Sequence, residues 1–157
     1  MHNNLNILSE SLDKKIDLLK RIVEYDDEQE KFLKSEPLDF TSFDKDVEKK
    51  GELIDELNRL DNGFEVLYNK IARQLETDKD NYREQIAELQ EKIRIITDLT
   101  VTIQSQEQRN KALIEKFFAK SRQDIKKGRL SGKAALNYYK TMSGSGSGET
   151  GIMDSKK

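Results

Sequence analysis

The sequence predicts an all-α protein: an elongated antiparallel three-helix bundle, or coiled-coil hairpin, with a short C-terminal helix and a flexible tail. Three observations predict it. Apolar residues recur at steps of three and four through three long segments, which places them on one helical face in each. The connections between those segments are short and rich in turn and capping residues. Charged residues make up 37% of the 157 and the apolar set 34%, with one proline and no tryptophan. That composition suits helices that each bury a narrow stripe, rather than a thick globular core.

The first helix is expected near residues 4–34. Its stripe runs Leu5, Leu8, Leu12, Ile16, Leu19 and Val23, with Ile22 beside the last. Ser35-Glu36-Pro37 ends it, because proline lacks a backbone donor and disfavours a helical residue before it. The second helix is expected near 41–76, capped by Thr41 or Ser42, with a stripe through Phe43, Val47, Ile54, Leu57, Phe64, Tyr68, Ile71 and Leu75. Lys50 and Asp61 interrupt that stripe at seam positions, and a kink is allowed at Asn62-Gly63. Thr77 to Asn81 forms a polar connection of the kind that joins antiparallel helices.

The third helix is expected near 79–127, through Tyr82, Ile86, Leu89, Ile93, Ile96, Ile103, Ile114, Phe117 and Ile125. Its stripe turns polar between Gln104 and Lys111. At 1.5 Å per residue it is roughly 70 Å long, more than either partner can cover. The bundle with its short last helix, Arg129 to Met142, takes residues 1–142. Residues 143–157, which include SGSGSGETG, form a Gly/Ser tail that is flexible by composition.

Several function classes are excluded. Cysteine is absent and the single histidine is His2 at the terminus, so thiolate chemistry has no residue to use, and histidine-based metal sites and imidazole bases are essentially unavailable. There is no P-loop and no dinucleotide-binding glycine pattern. Carboxylate pairs such as Asp26-Asp27 read as solvated charge. No enzyme and no cofactor is expected. The N-terminus has neither the basic nor the apolar region of a signal peptide, and no apolar run approaches the ~20 residues of a membrane span. A cytoplasmic protein that is not inserted in a membrane is therefore expected.

Charge is uneven although the net value is only −2. From Arg109 to Lys140 ten basic residues face two acids, Glu115 and Asp124, so an acidic body carries a basic C-terminal segment. That segment reads as a solvated face or as a dock for an acidic protein, in preference to nucleic acid. Leu113, Ile114, Phe117 and Phe118 lie where the third helix outruns its partners. Two adjacent phenylalanines point about 100° apart on a helix, so they mark a partner surface unless residues 129–142 fold back over them. Tyr138 and Tyr139 beside Lys140 suit an interface anchor.

The residue pattern resembles the FlgN-type flagellar export chaperones, in particular the Gram-positive members. The resemblance runs through Glu28-x-x-x-Phe32-Leu33, Glu48-Lys49-Lys50-Gly51-Glu52-Leu53-Ile54, the stretch Thr102 to Lys111, Asn137-Tyr138-Tyr139-Lys140 and the Met153-to-Lys157 end. It implies a chaperone that binds the helical C-terminal segments of hook-associated proteins and delivers them to the flagellar export gate and its ATPase complex. By position, Leu113, Ile114, Phe117 and Phe118 would receive the client, and Tyr138, Tyr139, Lys133 and Lys140 would dock the gate. Such a chain is expected to be a monomer or weak dimer. The alternatives are a self-associating coiled-coil scaffold and a FliT-type flagellar chaperone with a different client.

Overall fold

The computed structural model describes residues 1–126. Three long helices make up nearly all of it: α1 (His2–Lys34), α2 (Phe40–Thr77) and α3 (Arg83–Lys126), with a 3₁₀ turn, Lys79–Tyr82, leading into α3. There is no strand among the described residues, so the all-α helical bundle is what the chain forms. The short helix expected at 129–142, the Gly/Ser tail, and the residues expected to dock the gate, Lys133, Tyr138, Tyr139 and Lys140, lie outside the described residues. No helix among those described is long and apolar enough to cross a membrane.

Local chemistry sets the helix ends. Lys31 and Lys34 lie in the last turn of α1, where cations complement the exposed carbonyls. Ser35 closes that turn, its Oγ donating to the Phe32 carbonyl at 2.7 Å. The cap of α2 is Asp39, not Thr41 or Ser42. Its carboxylate accepts from the Ser42 amide at 3.1 Å and from Ser42 Oγ at 2.8 Å. The carboxylate can satisfy an orphan amide three residues on and the hydroxyl beside it, so the helix starts one residue earlier than expected. Those two bonds also hold the Asp39 carboxyl below the ordinary value.

Helix α2 runs without interruption through Gly51 and Gly63. A methyl group added at either glycine would meet nothing within 4 Å. Gly51→Ala and Gly63→Ala are each expected to raise stability by about 0.5–1 kcal/mol, because alanine removes backbone entropy from the unfolded chain at no steric cost. Urea melts of the two variants check this, and a loss of stability at either position would show a contact that alanine disturbs.

The chain divides into two compact units. The first comprises Met1–Val23 with Leu53–Thr102. Its core is Leu5, Leu8 and Ile71, packed by Phe64, Leu67, Leu75, Tyr82 and Leu89. Lys92 of α3 binds across to α1, reaching Asp13 at 3.0 Å. The second unit comprises Glu24–Glu52 with the described part of Ile103–Lys157.

The expected stripe is mostly buried in α1 and mostly half-buried in α2 and α3, with instructive exceptions. In α1 Ile22, not Val23, is buried. In α2 Leu53 is buried in place of Ile54, while Tyr68 stays 47% exposed. Tyr68 stacks on Phe64 at 6.1 Å, one turn back on its own helix, so the stripe there continues as an intrahelical ring pair. Ile93 is likewise 46% exposed. A helix packed by two neighbours buries the residues that face the seam. Positions displaced 80–100° from that seam satisfy three-and-four spacing without being covered.

Candidate functional site

The site lies in the second unit, where α1 ends, α2 begins and α3 runs alongside. Leu33, Phe43 and Ile114 are buried together, and Phe32, Leu38, Phe40, Val47, Leu113, Phe117 and Phe118 pack against them. The Phe40 ring meets Phe43 edge-on at 6.2 Å and Phe117 at 4.8 Å. The break at residues 35–39 therefore has a second use: it carries Leu38 and Phe40 onto α3.

This corrects the expectation that residues 113–118 of the third helix lack an intramolecular partner. That expectation compared helix lengths one at a time. In the fold, the last turn of α1, the connection and the first turn of α2 cover this stretch of α3 together. The four predicted client residues consequently differ in kind. Ile114 is core, at 6% exposure. Leu113, Phe117 and Phe118 are half-buried, and of these Leu113 and Phe117 line an open groove.

The groove has a volume of about 530 Å³. Leu33, Pro37 and Leu38 form one apolar wall, and Leu113 with Phe117 the other. Lys116 and Lys120, one turn apart on α3, stand at its edge and are exposed. Lys34 lies on the α1 side, already bound to Glu30 at 2.9 Å. An apolar floor with cations on its border offers binding rather than bond-making chemistry. No cluster of carboxylates or histidines among the described residues could hold a metal ion.

Next to the apolar cluster is a layer that sequence reasoning missed. Lys50 is fully buried, and its ammonium lies 2.6 Å from Asp26 Oδ1 and 2.6 Å from Glu107 Oε1. It also donates to Gln29 Oε1 at 3.0 Å. Asn110 Nδ2 donates to the Asp26 carbonyl at 3.1 Å, and Gln106 Nε2 to Asp27 Oδ1 at 2.9 Å. All three helices are thus tied through buried polar groups within one unit. Asp26, read from sequence as solvated, is 1% exposed, whereas its neighbour Asp27 is on the surface.

The layer holds two carboxylates for one ammonium. Burial, reinforced by the nearby Glu107 charge and only partly offset by Lys50, pushes the Asp26 carboxyl up to about 7. Lys50 loses solvation, yet Glu107 and Asp26 outweigh that loss and hold its ammonium above the ordinary lysine value. Asp46, a turn before Lys50, is raised to about 6 by burial and by Glu28. Signals for the layer existed in the sequence, namely a lysine at a seam position and a polar interruption at 104–111, but they lie far apart in the chain.

A family model described as FlgN protein matches residues 1–140. No curated protein and no solved structure matches the chain significantly.

Proposed function

Because this chain belongs to the FlgN family, the flagellar export chaperones, we propose that it captures the helical C-terminal segments of hook-associated proteins in the cytoplasm and hands them to the export gate. The observation that carries this reading is the groove beside Leu113 and Phe117, since helix-in-groove recognition needs an apolar trough and the described residues form one there. Phe117 is its anchor, being half-buried against Phe40 with its ring lining the trough. Phe118 borders the same apolar cluster, and Ile114 supports it from beneath. Gate docking is assigned to Tyr138 and Tyr139 with Lys133 and Lys140, in the basic segment that follows α3. A basic dock speeds association with an acidic partner and weakens as salt screens it.

The test is titration of a hook-associated C-terminal peptide onto the full chain. Phe117→Ala is expected to weaken binding about 30-fold, the effect of losing ~2 kcal/mol at an interface anchor. Ile114→Ala is expected to lower the melting temperature more and affinity less. A Tyr138→Ala/Tyr139→Ala variant is expected to keep the peptide but lose the gate and motility. Unchanged affinity in Phe117→Ala would remove the groove from the reading. Release of the peptide by the tyrosine variant, with gate binding intact, would overturn the two-site division.

A further inference from the structure

The groove's border says more about its occupant than its floor does. Any apolar segment could satisfy Leu33, Leu38, Leu113 and Phe117, but Lys116 and Lys120 discriminate. Both are exposed, they lie four residues apart, and neither has an ion-pair partner among the described residues. The part of α3 around them is strongly basic: from Arg109 to Lys126 six cations face two acids. Two ammonium groups about 6 Å apart along a helix, neither held in an ion pair by a described residue, flank the apolar trough.

We propose that this groove selects an amphipathic helical segment whose apolar face is bordered by carboxylates one turn apart. The apolar side chains seat on Leu113 and Phe117, and the carboxylates meet Lys116 and Lys120. This rests on the client-binding reading above and adds the chemistry of the client. Charge complementarity decides among the possible occupants. The chain's own continuation, Lys127 to Lys140, carries four cations and no acid, so its charge does not complement this border. A polyphosphate backbone would gain from the lysines, but it would place charge over an apolar floor. A carboxylate-bordered helix satisfies both the floor and the border.

The experiment uses the full chain and three labelled synthetic helical peptides with one shared apolar face. Their flanks carry glutamate, glutamine or lysine pairs at i and i+4. The glutamate peptide is expected to bind at least tenfold tighter than the glutamine peptide at 50 mM salt, and most of that margin should vanish at 500 mM. A Lys116→Glu/Lys120→Glu variant, altered only at exposed positions, should reverse the preference and take the lysine peptide. Equal binding of the glutamate and glutamine peptides, both abolished by Phe117→Ala, would overturn the charge selection while the client reading stands. If none of the peptides binds but a hook-associated protein does, the groove is not where that client sits and the inference fails. If the hook-associated protein does not bind either, the client reading fails with it. Sizing that shows a dimer broken by Lys116→Glu/Lys120→Glu would make a second copy the occupant, and would overturn the inference in that way.

Discussion

Lys50→Ala is expected to destabilise the fold by about 3–5 kcal/mol at pH 8, the cost of stripping the partner from buried charge. The variant would leave Asp26 and Glu107 facing one another without the ammonium that lies 2.6 Å from each. Gln29 would lose its 3.0 Å donor as well. A urea midpoint at pH 8 measures this, and a loss below about 1 kcal/mol would mean that water enters and solvates the layer. The converse variant separates stability from specificity. Asp26→Leu/Lys50→Met/Glu107→Leu is expected to be neutral or up to about 4 kcal/mol more stable, because well-packed apolar groups avoid the desolvation cost altogether. What the ionic layer supplies instead is register. Apolar stripes on three long helices can slide past one another by a turn, whereas a single lysine between two carboxylates pairs in one alignment only.

Asp26→Asn is expected to stabilise the protein at pH 8 and to do almost nothing near pH 4. The native Asp26 carboxyl is raised to about 7 by burial, with Glu107 of α3 adding to that and Lys50 of α2 opposing it. A folded state that holds this proton more tightly than the unfolded chain carries no penalty below the ordinary value of 3.8, and a growing one as pH climbs towards 7. The full penalty is on the order of 4 kcal/mol, about three units at 1.36 kcal/mol each. Wild-type stability should therefore fall from about pH 4 to about pH 7 and level off above it. Asp46, raised to about 6, adds a smaller slope of the same sign and stays in the variant. Glu30 and Glu91 are held low by their Lys34 and Arg94 partners, so their contributions are lost only in more acid solution. Lys50 and Lys92, both raised, titrate far above this window. Urea melts at pH 5, 6.5 and 8 decide the matter: equal pH slopes in wild type and Asp26→Asn would show that Asp26 ionises freely in the fold. The cost of Lys50→Ala should also shrink towards pH 5, where Asp26 takes up its proton.

The helices were legible because helix formation is written locally. Spacings of three and four placed Leu5, Leu8, Leu12 and Leu19 on one face of α1, and all four are buried. Pro37 and the polar run at 77–81 marked the two breaks between helices. The candidate site was legible only in part. Leu113 and Phe117 line the groove as an unusual apolar pair on a basic helix should, but Ile114, at the same spacing, is core. A one-dimensional pattern assigns a face. It does not say whether a connection such as residues 35–39 comes back to cover that face.

The sequence by itself determined an all-α chain, its breaks, the lack of cysteine, and the segregation of positive charge towards its end. Each of these depends on residue type or on neighbours within a turn or two. Only the tertiary structure decided that Asp26 is buried while Asp27 is not, and that Lys50 at a seam position is paired rather than misplaced. It also decided that the connection between α1 and α2 forms a groove wall. Lys50 meets Gln29 across 21 residues of chain and Glu107 across 57, and no local periodicity carries information over such separations. A buried charge is tolerable only when a particular distant partner arrives within hydrogen-bonding distance, so its place is settled by how the helices pack and not by the segment it belongs to.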